Sequence, residues 1–147
     1  MKIHTILPDQ LYQRGEIRHR PQQDKYNSLR THHITQIIDL YGKPDLLLPP
    51  DIEYRHHPIS DGTRLHPDPL LVLAARAAAH IRNAGRVLTL CHAGRNRSGL
   101  MSALIVRHML GVSGSDAIHV VRQGRPNAIA NPTFITYLES LPKGELV

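Results

Sequence analysis

A single cysteine at the end of an apolar run constrains this chain more than any other feature. Residues 87–106 read VLTLCHAGRNRSGLMSALIV, so a short buried strand, Arg86–Leu90, leads into a loop bounded by Gly94 and Gly99. Apolar spacing typical of a helix then runs to about Leu110. A strand, a tight loop and a helix in this order bring loop N–H groups to a helix N-terminus, where they bind anions. The stretch therefore predicts an anion-binding turn after a buried strand.

The same loop carries residues for nucleophilic chemistry on phosphorus. An amide-lined loop stabilises a thiolate, which makes Cys91 a candidate nucleophile. Arg97 has a guanidinium fork that can hold two phosphate oxygens, and Ser98 can donate a hydrogen bond to the sulfur. The predicted reaction is attack by sulfur on phosphorus, followed by hydrolysis of the thiophosphate. A buried core cysteine is the alternative, but it explains Gly94, Arg97 and Ser98 poorly.

The leaving group of such a reaction needs a proton, usually from a carboxylic acid on a loop near the pocket. The candidates upstream of the loop are Asp45, Asp51, Glu53, Asp61 and Asp68. We interpret Asp68 as a helix N-cap, with Pro69 at the first helical position. Asp61 precedes Gly62 after a predicted strand, which suits a loop that closes over substrate and equally suits a plain turn.

Strands and helices alternate along the rest of the chain. The predicted strands are Ile3–Leu7, Leu11–Tyr12, Ile34–Leu40, Ile52–Ile59 and Arg86–Leu90. The further predicted helices are a weak one at Gln22–His32, one from Asp68 to about Asn83 that Gly85 ends, one capped by Ser113 or Ser115, and one that starts at Asn131 and Pro132. This order predicts one α/β layered domain over residues 1–147, with a helical C-terminal third.

Composition limits the partners and the cellular setting. The formal net charge is +6 and 14 of the 18 basic residues are arginine, which favours an anionic partner. No apolar stretch reaches the ~20 residues of a membrane span, so we expect a soluble, cytoplasmic protein. The eleven histidines lack metal-ligand spacing, so we expect neither metal nor cofactor. Basic runs interleaved with aromatics, which would favour a nucleic-acid partner, are also missing from the sequence.

The chain resembles the cysteine-dependent protein tyrosine phosphatase superfamily, most closely its compact dual-specificity branch. CHAGRNRSG is similar to the family's phosphate-binding loop, HHPISDG to the segment with its general acid, and ITQIIDL to its central strand. LYQRG and VRQGRPNAIANPTFITYLESL are similar to its early strand and its closing pattern. The resemblance covers nearly the whole chain. It implies a small, mostly parallel mixed sheet with helices on both faces, and a phosphatase that needs no metal.

The resemblance also implies a role for each residue of the site. Cys91 is the nucleophile, Arg97 the phosphate clamp, Asp61 the general acid and Ser98 the partner of the thiolate. The implied phosphate-binding residues are His92, Ala93, Gly94, Arg95, Asn96 and Arg97. One position departs from the family pattern, because Leu90 stands where the family usually has a histidine that helps to set the loop and the thiol.

Several functions remain open at the level of sequence. The leading prediction is hydrolysis of phosphotyrosine, and of phosphoserine and phosphothreonine, in a phosphorylated protein. Arg95, Arg97 and His92 make the loop more basic than this requires, so a phosphoinositide, an inositol polyphosphate or an RNA 5′-phosphate is the alternative substrate. A non-catalytic phosphate-binding module has the support of Leu90 alone. A sulfur-transfer enzyme would not need Asp61.

Overall fold

Four parallel strands and one antiparallel strand form the sheet of this protein. The structure is a computed structural model that describes residues 1–44 and 46–145. Its strands are β1 (His4–Leu7), β2 (Leu11–Arg14), β3 (Gln36–Asp39), β4 (Glu53–His56) and β5 (Val87–Leu90). They lie in the order β1-β2-β5-β3-β4, and only β1 runs antiparallel to its neighbour. The predicted mixed, mostly parallel sheet is confirmed.

Helices cover both faces of the sheet, as predicted. The helices are α1 (Gln22–Thr31), α2 (Pro67–Arg82), α3 (Arg97–Leu110), α4 (Gly114–Gly124) and α5 (Pro132–Glu139). On one face, Leu29 of α1 joins a core cluster with Ile37 and Leu88, whereas the other four helices share the opposite cluster. All residues of β3 and β5 are buried, because central strands of a covered parallel sheet lose both faces to packing.

The helical C-terminal third follows from local signals that the structure confirms. Ser113 Oγ accepts a hydrogen bond from the N–H of Asp116 at 3.2 Å and so caps α4. Asn131 Oδ1 accepts the N–H of Thr133 at 2.9 Å and caps α5. Such caps satisfy backbone donors that a helix leaves unpaired in its first turn.

Two predicted helix starts are wrong. Helix α2 begins at Pro67, so Asp68 lies in its first turn instead of at the N-cap, and no side chain among the described residues caps the helix. The segment HPDP contains two prolines, and either one suits the first helical position. Helix α3 begins at Arg97 and thus includes Gly99, where a Cβ would lie 2.7 Å from Cγ1 of Ile129. Glycine is needed there for close packing and does not mark the end of the loop.

The parallel strands place the functional loops at one edge of the sheet. The segments that follow β2, β3, β4 and β5 all leave from the carboxyl ends of these strands. This is the edge at which open parallel sheets usually bind ligands. Of the helices within residues 1–44 and 46–145, none is long and apolar enough to cross a membrane.

Candidate active site

Cys91 lies at the end of β5, at the base of the loop formed by residues 92–97, which we call the phosphate loop. The thiol is buried, and its Sγ atom lies 3.3 Å from Oγ of Ser98, which is buried as well. Gly94 has a φ of +68°, and a Cβ there would lie 2.3 Å from the backbone nitrogen of Gly15. A side chain at position 94 would therefore clash as well as strain the backbone. Glycine lets the loop fold back over the end of β2.

Neighbouring segments hold the phosphate loop by its carbonyl groups. Gln13 Nε2 donates a hydrogen bond to the Gly94 carbonyl at 3.0 Å, and the Glu16 N–H donates to the His92 carbonyl at 2.9 Å. Within the part of the chain that the structure describes, none of the N–H groups of residues 92–97 donates a hydrogen bond. The carbonyl groups of the loop are therefore held by its neighbours, while its backbone N–H groups remain available as donors. Loops with this arrangement bind oxyanions.

Arg97 brings a fixed positive charge to this loop. Its Nη1 atom lies 3.4 Å from the Ile59 carbonyl oxygen, and its Cζ atom lies 5.7 Å from the centroid of the Tyr41 ring. Its Nε atom is buried and has no hydrogen-bond partner among the described residues. A buried N–H without a partner is costly, so this guanidinium is arranged to bind an acceptor that the described residues do not supply.

Asp61 lies against the phosphate loop, although sequence spacing alone left its role open. Its Oδ2 atom accepts a hydrogen bond from Nδ2 of Asn96 at 3.1 Å, and its Oδ1 atom accepts one from Nδ2 of Asn131 at 2.9 Å. Asn131 also donates to the Gly62 carbonyl at 3.0 Å. These asparagines fix the carboxylate beside a groove of about 390 Å³ that both of them line. The structure therefore brings Asp61, Cys91 and Arg97 to one edge of the sheet.

The structure places two of the other candidate general acids, Glu53 and Asp51, away from the phosphate loop. Glu53 begins β4 at the opposite edge of the sheet and forms an ion pair with Arg55 at 2.5 Å. Burial acts to raise the pKa of Glu53, but hydrogen bonds from Gln36 and Arg55 outweigh it and lower the pKa overall. Asp51 precedes the same strand, and Asp45 lies outside the described residues.

The remaining predicted loop residues lie at the surface. His92, Ala93 and Arg95 are exposed, and Nε of Arg95 donates to the Asn127 carbonyl at 2.6 Å. Leu90, which replaces the usual family histidine, is buried in the cluster beneath α1, whereas Cys91 belongs to the cluster on the opposite face. Position 90 therefore contributes packing. The described residues contain no group of three His, Cys, Asp or Glu side chains that could hold a metal ion.

Comparison with known proteins gives a clear result at the level of structure. No protein-family model and no curated protein sequence matches the chain. Human DUSP28 superposes with a TM-score of 0.77 at 22% identity, over 93% of this chain and 90% of that one. DUSP15 superposes with a TM-score of 0.79 at 26% identity, over 93% of this chain and 85% of the other. The chain has the dual-specificity phosphatase fold. The resemblance predicted from the sequence is confirmed.

One further solved structure with this fold is named as phosphatase-like and as an interacting protein. The human tyrosine phosphatase-like serine/threonine/tyrosine-interacting protein superposes with a TM-score of 0.77 at 21% identity. The match covers 93% of each chain. Function in this chain must therefore be argued from its own site, because one fold supports different activities.

No sequence pattern marked Tyr41, yet its ring forms one wall of the site. The ring centroid lies 5.3 Å from that of His92, and the Cζ atom of Arg18 lies 5.6 Å from it. The N–H of Tyr41 donates to Oδ1 of Asp39 at 3.0 Å, which ties the loop after β3 to the sheet. An aromatic residue directly after a buried strand, in a chain with few aromatics, is the signal that could have identified it.

Asp39 anchors this wall from inside the sheet. Its carboxylate is fully buried and accepts hydrogen bonds from Nη2 of Arg18 and from the hydroxyl of Tyr54, both at 2.6 Å. Burial and the hydrogen bond to Asp39 raise the pKa of Tyr54. A buried carboxylate with a paired guanidinium and two further donors is fully satisfied, so the network holds the Tyr41 loop rigidly.

Proposed function

We propose that this chain is a metal-independent phosphatase that hydrolyses phosphomonoesters through a cysteinyl-phosphate intermediate on Cys91. One observation carries the proposal. Among the described residues, the N–H groups of residues 92–97 and the buried Nε of Arg97 have no hydrogen-bond partner, and all of them belong to a loop that begins at a buried thiol. A tetrahedral phosphoryl group offers acceptors for all of these donors, whereas an ordinary core cysteine leaves them unexplained.

In the first step, the Cys91 thiolate attacks phosphorus as the bond from phosphorus to the leaving oxygen breaks. Arg97 and the loop N–H groups hold the three non-bridging oxygens and stabilise the charge of the transition state. Asp61, tethered by Asn96 and Asn131, donates a proton to the leaving oxygen. The products are an alcohol or phenol and a phosphorylated cysteine.

In the second step, water attacks the phosphorus of the intermediate. The Asp61 carboxylate accepts a proton from this water, the sulfur–phosphorus bond breaks, and inorganic phosphate leaves. The Ser98 hydroxyl, 3.3 Å from the sulfur, donates a hydrogen bond to the thiolate as it departs. Ser98 thus favours the anionic sulfur both as nucleophile and as leaving group.

The substrate that we propose is a phosphorylated protein. Phosphotyrosine is the main residue that the enzyme dephosphorylates, and phosphoserine and phosphothreonine are further substrates. Two features support this choice. The solved neighbours include DUSP28 and DUSP15, and the exposed His92 and Asp61 leave the mouth of the site open to a large partner. The ring of Tyr41 beside Arg97 offers an aromatic surface for the ring of a phosphotyrosine.

Release of phosphate from a small aryl phosphate, with a chelator present, tests the proposal. We expect activity in the wild type and none in Cys91→Ser, which keeps the size of the side chain but lacks a thiolate. Acid quenching during turnover of a radiolabelled substrate traps labelled protein in the wild type alone. Turnover by Cys91→Ser would refute the mechanism. Persulfide formation from a sulfur donor, without phosphate release, would assign the loop to sulfur transfer.

A further inference from the structure

A group of basic side chains at and beside the phosphate loop plays no part in these two steps. We call it the basic rim, and its members are Lys2, His4, Arg14, Arg20, Arg95 and Arg125. The ion pairs within residues 1–44 and 46–145 involve other basic side chains, so no described carboxylate pairs with a member of the rim. The rim is therefore a local excess of positive charge.

The register of β1 and β2 places Lys2, His4 and Arg14 at the edge of the sheet that carries the phosphate loop. Because β1 is antiparallel to β2, with His4 opposite Gln13, the start of β1 lies beside the end of β2 at Arg14. The backbone of Arg14 packs against Gly94 of the phosphate loop. The Arg14 guanidinium donates a hydrogen bond to the Lys2 carbonyl, which holds the two residues together.

The segment after α4 adds Arg125 to the rim and contacts Arg95 of the phosphate loop. A Cβ at Gly124 would lie 2.2 Å from the Thr5 carbonyl, so Arg125 leaves the helix directly beside β1. Two residues later, the Asn127 carbonyl accepts the hydrogen bond from Nε of Arg95. The rim thus continues from β1, through the segment after α4, to the mouth of the site.

The members of the rim repel one another. Burial and then the charges of Arg125 and Lys2 lower the pKa of His4. Burial and then the charge of Arg20 lower the pKa of Arg14, whose Nε is also buried without a hydrogen-bond partner among the described residues. Like charges held this close are destabilising unless an anion neutralises them.

We infer that the basic rim is a second phosphoryl-binding subsite, for a small ligand that carries several phosphoryl groups. The inference rests on the proposed function, since a first phosphoryl group would occupy the loop at Cys91, and it adds such ligands as a second substrate class beside phosphorylated protein. Polyphosphorylated polyols, free or as lipid headgroups, have this chemistry. Arginine forks match phosphate oxygens, and each phosphoryl group carries up to about two negative charges whereas a carboxylate of an acidic peptide carries one, so a polyphosphate neutralises this excess of positive charge with fewer groups.

The test compares two double variants of the full chain. Arg20→Gln with Arg125→Gln removes two charges from the rim, and Arg76→Gln with Arg82→Gln removes two charges from α2. Calorimetry measures the binding of inositol hexakisphosphate. Cosedimentation measures binding to phosphatidylcholine vesicles that contain phosphatidylinositol bisphosphate. We expect the rim variant to lose about tenfold in affinity, and more at low salt, whereas the α2 variant keeps the wild-type affinity. Binding in calorimetry indicates a free polyol phosphate as the ligand, whereas binding in cosedimentation indicates a lipid headgroup.

Two results would overturn the inference. One is equal affinity of the two double variants, and the other is no binding by the wild type in either arm. Selective binding of an acidic phosphotyrosyl peptide that only the rim variant loses, with polyphosphate binding unchanged, would also overturn it and assign the rim to a protein partner. Because these readouts need no turnover, failure of the wild type to hydrolyse an aryl phosphate would refute the proposed function separately. Thermal unfolding of both variants verifies that they are folded.

Discussion

Asn131 performs two tasks that substitutions can separate. Its Oδ1 atom caps α5 by accepting the N–H groups of Thr133 and Phe134, at 2.9 and 3.3 Å. Its Nδ2 atom donates to Oδ1 of Asp61, a residue 70 positions away in the chain. Asn131→Ser keeps an oxygen that can cap the helix but removes the amide donor. Asn131→Ala removes both, so the pair separates the orientation of Asp61 from the stability of α5.

The magnitudes follow from the two hydrogen-bonded groups. Serine and asparagine are about equally good N-caps, whereas alanine at an N-cap costs ~1 kcal/mol of stability. Asp61 is exposed, so we place its lost hydrogen bond below the ~1.5–3 kcal/mol of buried charged hydrogen bonds, at about 1 kcal/mol. At 25 °C this corresponds to about a fivefold loss in any step that needs the carboxyl group in its tethered position.

The assay uses two substrates that differ in their need for a proton. Phosphotyrosine has a poor leaving group and needs the general acid, whereas an aryl phosphate with a strongly acidic phenol does not. We expect Asn131→Ser to lower kcat for phosphotyrosine about fivefold, to spare the activated ester, and to leave urea unfolding unchanged. Asn131→Ala should show the same difference between substrates with lower stability. Equal losses on both substrates would refute the reasoning, because they would assign Asn131 to the fold alone.

Three further predictions concern the buried network, acid stability and oxidation. Asp39→Ala should lower the free energy of unfolding by roughly 1–3 kcal/mol in urea titrations, because the Tyr54 hydroxyl and the Tyr41 N–H lose their buried acceptor while Arg18 keeps its ion pair with Glu16; an unchanged stability would contradict this. Folding lowers the pKa of Glu53, so its stabilising contribution is present above the usual carboxyl pKa and disappears as the pH falls through the lowered value. Thermal unfolding of Glu53→Gln should therefore depend less on pH in this acid range than that of the wild type. Prolonged peroxide treatment should inactivate the enzyme beyond full rescue by thiols, since the chain has no second cysteine to trap the oxidised sulfur; full rescue would argue against this.

Local signals in the sequence determined the order of the elements and much of the phosphate loop. The strand β5 shows as a mostly apolar run, and β3 as a pair of isoleucines between Gln36 and Asp39, and both are fully buried because parallel strands in the middle of a covered sheet have no solvent face. The caps at Ser113 and Asn131 were predictable because each acts within four residues along the chain. The start of α2 was not, because both prolines of HPDP satisfy the same local rule and only packing selects between them.

The tertiary structure alone decided which distant residues meet. The crossing of Gly15 and Gly94, the tether from Asn131 to Asp61 and the wall formed by Tyr41 join segments far apart in the chain. Their approach depends on the strand order β1-β2-β5-β3-β4, in which β5 lies between strands that precede it in sequence. Hydrophobic periodicity records which face of an element is buried, but it carries no information on which neighbour covers that face. The sequence therefore determines the elements and the reactive loop, whereas the order of the strands decides which residues surround Cys91.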